Sequence, residues 1–347
     1  MRTIGLALFL ISGLGWSAMA ADQSPTNELT AQLAKEVQNQ GWIAFCARGE
    51  NGSWDIFLSR PDGSRKRNIT NTPDYEEAGP LFSRDGKKLL YRRIAKGTVI
   101  SHDLWGFQGR LVLADADGKN PIVFGEEGEY TWTSWSPDAK QIASLTKKEI
   151  QIIDIATKQV ARTLKRQGIY QQLFWSPDGK WFTGTGNHAG RQWCIVRMNA
   201  ETGELNAVHK FQSCTPDWFP DAKRIIYSSR PPQKSNQGYG WTLLLQSEGD
   251  GTHEQLIYGE EGSHVYGGAV SPDGKYVLFT TYPNDGGGPE ESGAPIFLMR
   301  LSDTPTLEGK SEEMRRMYPN VKGGPALSLQ QKGWEPCWTY AEIGADR

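Results

Sequence analysis

Short apolar runs, each bounded by polar turn residues, follow one another along the chain from Trp42 onwards. Several of the turns repeat one phrase. Three copies match Ser-Pro-Asp-(Gly/Ala)-Lys in full and contain Asp138, Asp178 and Asp273. Two imperfect copies contain Asp85 and Asp221. These Asp residues are 53, 40, 43 and 52 positions apart. A period of that size indicates a repeat architecture.

Each copy of the phrase lies between two strand-like runs. An apolar, usually aromatic residue stands three places before the Asp, at what we call the aromatic position: Phe82, Trp135, Trp175, Trp218 and Val270. Ser-Pro-Asp-Gly favours a type I turn, because Pro presets φ and Gly accepts a positive φ. A second turn recurs further along each repeat, as at Asp117-Gly118-Lys119. Four short strands per repeat predict the antiparallel, four-stranded blades of an all-β propeller.

The count of repeats predicts six blades. Trp338 occupies a sixth aromatic position, and the N-terminal runs Trp42–Ala47, Trp54–Ser59 and Arg67–Thr70 have no first strand of their own. We therefore expect the C-terminal strand around Trp338 to pair with the N-terminal strands and to close the ring. Closure would remove two exposed sheet edges that otherwise favour aggregation.

The N-terminal pattern predicts export. Residues 1–20 combine the positive start Met1-Arg2, an apolar core at Ile4–Leu14 and the small-residue cleavage site Ala18-Met19-Ala20, as in a bacterial secretory signal peptide. Residues 21–40 form a polar lead-in, either a short helix, with Leu29, Leu33 and Val37 at helical spacing, or a loose terminus. Residues 41–347 form one propeller domain, and we expect a periplasmic or secreted protein.

Charge narrows the choice of partners. The net charge of −2 is close to balance, which argues against nucleic acid and against an anionic membrane surface. The apolar core of the predicted signal peptide is too short to span a bilayer. We expect a monomeric ring with no nucleic-acid partner and no membrane insertion.

Four cysteines in an exported chain allow two disulfides. Cys46 and Cys337 lie in the two strands predicted to pair at the closure, so we expect a bond between them. Cys194 and Cys214 lie in the last strand regions of one predicted blade and would form the second bond. The alternative is four buried thiols; a zinc site has less support, because no Cys-x-x-Cys occurs.

The repeated Trp-Ser-Pro-Asp-Gly-Lys phrase and the opening run Trp54–Gly63, followed by Arg67–Asn71, resemble the TolB-type, WD-repeat-like propellers. The resemblance covers roughly residues 41–345. It implies a six-bladed propeller of a superfamily whose members mostly bind proteins, peptides or glycans. We expect no counterpart here of the α/β domain that precedes the TolB propeller, so the resemblance does not by itself transfer the role of TolB in the Tol–Pal system.

A candidate binding face follows from the loops. The tight turns leave by one side of the ring, whereas the long second connections and the links between blades crowd the other. The candidate binding residues on that face are Tyr75, Glu77, Tyr130, Tyr170, His188, Arg191, His264, Tyr266, Trp334 and Glu335. Aromatic rings beside carboxylates suit a peptide or a sugar. In the alternative interpretation these residues plug the channel and cap the blades.

The expected function is a non-catalytic binding or scaffold module for a protein, peptide or glycan, without a cofactor. The mature chain has no Gly-x-Ser-x-Gly elbow, P-loop, dinucleotide fingerprint or His-Glu-x-x-His motif. A metal-dependent polysaccharide lyase or hydrolase of the oligouronate type is the alternative, with His188 and His264 near the channel mouth and Glu77 or Glu335 in support. The Asp of each phrase could bind calcium, but such residues more often cap their own turn.

Overall fold

The computed structural model describes residues 25–98, 100, 108–209, 212–230, 242–260, 262–283, 293–303 and 323–344. The predicted signal peptide, residues 1–20, lies outside these ranges. A helix, α1, covers Pro25–Val37, and a 3₁₀ turn covers Leu301–Asp303. All other regular structure in the described residues is β-strand.

The chain folds as an all-β propeller of antiparallel strands. Four sheets have four strands each and follow chain order from the first strand to the last, so each one is a blade built from consecutive hairpins. Blade 1 contains β4–β7, blade 2 β8–β11, blade 3 β12–β15 and blade 4 β16–β19. These strands are β4 Tyr75–Phe82, β5 Lys88–Ala95, β6 Gly109–Asp115, β7 Ile122–Phe124, β8 Thr133–Trp135, β9 Gln141–Leu145, β10 Glu149–Asp154, β11 Val160–Lys165, β12 Ile169–Trp175, β13 Trp181–His188, β14 Arg191–Asn199, β15 Leu205–Ala207, β16 Ser213–Trp218, β17 Arg224–Ser229, β18 Leu243–Glu248 and β19 Gln255–Gly259.

The fifth sheet has seven strands and contains the first and the last strand of the described chain. Its order is β20-β21-β22-β23-β1-β2-β3. The bounds are β1 Trp42–Arg48, β2 Trp54–Ser59, β3 Arg67–Asn68, β20 Ser263–Val270, β21 Tyr276–Pro283, β22 Ala294–Arg300 and β23 Ala326–Thr339. The predicted pairing of the C-terminal strand with β1 is present, with Ile43 opposite Trp338 and Trp42 opposite Thr339.

The Asp of the repeated phrase fixes its own turn. Ser136 Oγ donates to Asp138 Oδ1 at 2.7 Å, and the same oxygen accepts from the backbone N–H of Lys140 at 3.1 Å. The Ser136 hydroxyl also accepts from the N–H of Gln141, the first residue of β9, at 2.9 Å. The Ser–Asp bond recurs in three other copies, at Asp85, Asp178 and Asp273. Turn capping therefore accounts for these Asp residues.

Helix α1 packs against the seven-stranded sheet. Leu33 and Val37 are buried in one cluster with apolar residues of β1, β21 and β22, while Leu29 is exposed. Glu36 accepts hydrogen bonds from Tyr276 and Arg300, which pull the pKa of its carboxyl below the usual range. Among the residues that the structure describes, no helix is long and apolar enough to cross a membrane.

Candidate functional site: the central channel

A β-bulge recurs in the strands that face the centre. Three residues before the aromatic position the backbone enters the left-handed region, with φ between 51° and 71°. The residues at this bulge position are Gly79, Gln172, Thr215, Gly267 and Glu335, and the strand register shifts at each of them. A bulge redirects side chains, so the bulges bring both backbone and side chains of these strands to the centre.

Side chains at the bulge position connect one blade to the next. Gln172 Oε1 accepts from the backbone N–H of Thr215 at 2.9 Å, and Thr215 Oγ1 accepts from the N–H of Gly267 at 3.2 Å. The Glu335 carboxylate accepts from the N–H of Gly79. In each case the side chain accepts a hydrogen bond from the backbone N–H of the bulge residue in the following blade.

A second series lies one residue before the aromatic position. Ser134 Oγ accepts from the N–H of Trp175 at 2.8 Å, and Asp217 Oδ2 accepts from the N–H of Val270 at 3.0 Å. The thiol of Cys337 has the same relation to the backbone of Phe82. Both series therefore hold neighbouring first strands together at the centre.

These strands enclose a cavity of about 240 Å³. Its walls come from β4, β5, β8, β12, β16, β20, β21 and β23. Aromatic and aliphatic side chains dominate, and the charged groups are Arg92, Asp217 and Glu335. The aromatic lining consists of Phe82, Trp132, Phe174, Tyr266, Trp334 and Trp338. An apolar cavity with a few convergent polar groups is the usual form of a ligand site.

Arg92 and Glu335 form an ion pair across the gap between blade 1 and β23. Arg92 Nη2 lies 3.1 Å from Glu335 Oε1, and the two side chains are 1% and 17% exposed. The guanidinium carbon also lies 4.8 Å from the ring centre of Trp132. Burial raises the pKa of Glu335 despite the opposing charge of Arg92. The pair is therefore held in a largely dry environment.

Asp217 carries the second negative charge of the cavity. Burial raises the pKa of its carboxyl to about 7, although the backbone N–H groups of Val270 and Trp218 favour the ionised form. Burial likewise raises the pKa of the Cys337 thiol to about 12, and the negative charges of Asp217 and Glu335 add to that rise. Both carboxylates are therefore close enough to influence the Cys337 thiol.

Three of the predicted binding residues, Tyr266, Trp334 and Glu335, line this cavity. His264 is buried and stacks against Tyr266 and Tyr282, with ring centres 5.4 and 5.2 Å away. The Tyr266 hydroxyl lies 3.2 Å from His264 Nδ1. His264 thus supports the wall of the cavity and does not line it.

The remaining predicted residues lie elsewhere. Glu77 is fully buried, and its Oε1 lies 3.0 Å from Arg93 Nη2; Tyr75 is exposed, with Arg93 4.9 Å from its ring centre. Tyr130 is buried and donates to Gln151 Oε1 at 3.2 Å. Burial raises the pKa of the Tyr130 and Tyr170 hydroxyls beyond the ordinary tyrosine range.

The Gly-rich segment at 184–191, which carries the candidate residues His188 and Arg191, is a hairpin and not an irregular loop. The strands β13 and β14 continue until His188 pairs with Arg191 across a turn at Ala189 and Gly190. Gly190, with a φ of 77°, supplies the left-handed backbone that this tight turn requires. The side chain of Arg191 lies outside the described residues.

The described residues do not form an assembled site for the metal-dependent lyase or hydrolase. His264 faces its tyrosine neighbours, and His188 ends β13 in another blade. Within the described part of the chain, no group of three or more His, Cys, Asp or Glu side chains is arranged to hold a metal ion.

The predicted disulfides are not formed. All four cysteines are thiols in the structure. Cys46 lies opposite Trp334 whereas Cys337 lies opposite Ala44, so the two are not cross-strand neighbours. Cys194 belongs to blade 3 and Cys214 begins blade 4, so the assumption that both lie in one blade is wrong.

A buried Glu–His–Ser series lies away from the channel. Glu254 Oε2 is 2.7 Å from His209 Nδ1, and His209 Nε2 is 2.8 Å from Ser229 Oγ. These distances match a catalytic triad, but Ser229 is only 1% exposed and no substrate could reach its hydroxyl. The Tyr227 hydroxyl also donates to Glu254 at 2.8 Å. The series joins the link after β15 to blade 4, so His209 has a structural role.

Sequence reasoning missed Arg92, Trp132, Gln172, Thr215 and Asp217. One signal was available: proline follows the bulge residue three times, at Pro80, Pro216 and Pro336. Within sheets, proline is confined to edge strands and bulges. An aligned Xaa-Pro before the aromatic position therefore marks a bulged strand with a free edge.

Known proteins support the fold. No protein-family model matches the chain. A "Tol-Pal system protein TolB" of Francisella tularensis subsp. mediasiatica is 25% identical over 236 residues, 65% of this chain and 50% of the relative. The same protein of subsp. holarctica is 25% identical over 192 residues, 52% of this chain and 42% of the relative. The chain thus spans about half the length of the curated relatives that it matches.

Solved structures agree with this relation. TolB from Acinetobacter baumannii superposes with a TM-score of 0.61 at 19% identity, covering 87% of this chain and 67% of the other. A structure assigned as TolB from Agrobacterium tumefaciens gives 0.57 at 21% identity, covering 84% and 89%. The resemblance drawn from the repeated phrase is confirmed: the chain is similar to TolB in sequence and shares the β-propeller fold of the TolB structures.

Proposed function

We propose that the protein is an exported, non-catalytic binding module that receives a segment of a protein or peptide partner at its central channel. The cavity carries the proposal, because it combines an aromatic lining with only three charged groups in the middle of a rigid β scaffold. The curated relatives are named as proteins of the Tol–Pal system, a name that refers to more than one component. A protein or peptide is therefore a better candidate than a glycan.

We further propose that the ring has six blades and is closed by β23. The 14-residue strand pairs with β22 through Ala326–Gly333 and with β1 through Trp334–Thr339. Its first half would be the outer strand of one blade and its second half the inner strand of the next. The Glu335–Gly79 and Cys337–Phe82 hydrogen bonds would then join this last blade to blade 1.

Site-specific photo-crosslinking in the source cells tests the function. A photoreactive phenylalanine analogue replaces Phe174, which is half-buried in the channel, and, as the matched control, Val160, which is exposed on the outer strand β11. We expect a discrete protein adduct from position 174 and none from position 160. Equal adducts from both positions, or none from position 174, would overturn the proposal.

A further inference from the structure

The cavity has one negative charge in excess. Arg92 and Glu335 neutralise each other at 3.1 Å. Asp217 accepts hydrogen bonds from two backbone N–H groups, at 2.8 and 3.0 Å, and no salt bridge between described residues includes it. Backbone dipoles stabilise a carboxylate but supply no counter-charge. The ionised site therefore lacks one cation.

The wall beside Asp217 leaves space for that cation. Strand β20, whose Val270 N–H bonds to Asp217, contributes the three small residues Gly267, Gly268 and Ala269 to the cavity wall between Tyr266 and Val270. Phe174 of blade 3 and Trp338 of β23 contribute aromatic surface to the same cavity. Aromatic faces attract ammonium and guanidinium groups, most strongly where water is excluded.

We propose that the partner inserts a basic side chain, lysine or arginine, into the channel, where its cationic head pairs with Asp217 and its aliphatic stem lies along the aromatic lining. This inference rests on the proposed function. Long basic side chains carry such an apolar stem below a charged head, which matches a largely apolar cavity with one uncompensated carboxylate. An acidic partner group would face Glu335 and Asp217, and a purely apolar one would leave Asp217 without a counter-ion.

Binding of the basic group depends on the ionisation of Asp217. The other titratable groups of the cavity are Glu335 and Cys337 from β23, Arg92 from β5 and Tyr266 from β20, whose hydroxyl lies 3.2 Å from His264 Nδ1. Arg92 is engaged with Glu335, and Cys337 stays protonated because burial raises its pKa to about 12. Asp217, with a pKa of about 7, changes its charge near neutrality. We expect tighter binding of a cation above that pH than below it.

The test uses three small probes and calorimetric titration. The probes are the Nα-acetyl methylamides of lysine, arginine and norleucine; the last has the stem without the charge. At about pH 8.5 we expect the basic probes to bind about tenfold or more tightly than norleucine. At about pH 6 that advantage should fall at least about fivefold, because Asp217 is then protonated. Norleucine binding as tightly as lysine at the higher pH would overturn the proposal.

Variants assign the effect to the carboxylate. Asp217→Asn should remove the advantage of the basic probes, whereas Glu201→Gln, which loses one charge on an exposed turn, should keep it. Ala269→Lys places an ammonium group inside the cavity and should exclude the basic probes, while Ala269→Met tests the added bulk alone. If Asp217→Asn does not fold, the comparison of Ala269→Lys with Ala269→Met still tests the proposal. Unchanged selectivity in both Asp217→Asn and Ala269→Lys would refute the inference.

The two proposals can fail separately. A protein adduct at position 174 that persists with unchanged yield in Asp217→Asn would refute the basic side chain and leave the binding module in place. Selective binding of lysine and arginine probes without any protein adduct would refute the protein partner and keep the cation site.

Discussion

Removal of one partner from the Arg92–Glu335 pair should be far more damaging than removal of both. Arg92 is almost completely buried, and Glu335 is nearly so. Loss of one member of a buried pair leaves the other charge uncompensated and costs about 3 to 5 kcal/mol of the free energy of unfolding, whereas replacing both can be close to neutral. We expect Glu335→Gln and Arg92→Met each to lose about 3 kcal/mol or more on this basis.

A double-mutant cycle measured by urea denaturation tests this reasoning. The double variant should be more stable than either single variant, so its loss should fall short of the sum of the single losses by more than about 3 kcal/mol, a coupling expected only for residues in contact. The surface pair Lys88–Asp115 is the matched control: its atoms are closer, at 2.6 Å, but the side chains are 51% and 35% exposed. Lys88→Met should change stability by about 0.5 kcal/mol or less, since water screens the pair. Additive losses in the cycle would show that the second half of β23 does not contact β5.

Three further predictions concern the channel and its thiols. Gly79→Ala should lower the free energy of unfolding by more than about 2 kcal/mol, because at a φ of 67° the added Cβ would lie 2.5 Å from Arg92 Nη2. The control Gly97→Ala, with a φ of 84° and no atom within 4 Å of the added Cβ, should lose only about 1 kcal/mol, as measured by thermal unfolding. Burial raises the pKa of Asp217 from the ordinary 3.8 to about 7, so between about pH 4 and 7 the folded state keeps a proton that the unfolded state loses. The free energy of unfolding should therefore fall by about 2 to 4 kcal/mol as the pH rises through this range. Asp217→Asn should reduce the slope of that fall by the contribution of one proton, and an unchanged slope would contradict the assignment. Four thiols should react in denaturant without reductant, and mass spectrometry that finds a disulfide would contradict the thiol assignment.

The propeller was predictable because its turns repeat. Ser, Pro, Asp and Gly each supply one element of the turn, so the phrase that contains Asp138 predicts both the hairpin and its capping bond. The aromatic position marks the strand before each turn. Counting strands also predicted that the strand containing Trp338 pairs with the strand containing Ile43.

The candidate site was harder to predict, because it depends on which way side chains turn at a bulge. The two-residue alternation of a strand assigns Glu335 to one face of the sheet, but the bulge at Glu335, with a φ of 51°, breaks that alternation and redirects the side chain. Asp217 looked like an ordinary strand residue, and its raised pKa arises from burial by other blades. The Cys46–Cys337 pair failed because Cys337 lies opposite Ala44, which places Cys46 further along the partner strand, opposite Trp334.

The position of β23 has a consequence for biosynthesis. Synthesis delivers Trp42–Arg48 long before Trp334–Thr339, yet these segments are hydrogen-bonded neighbours. Until β23 is made, β1 therefore keeps a bare edge, which any other extended chain could capture. The step that joins β23 to β1 pairs segments far apart in sequence and is intrinsically slow. Deletion of Trp334–Thr339 would leave that edge open permanently, and the product would be expected to aggregate.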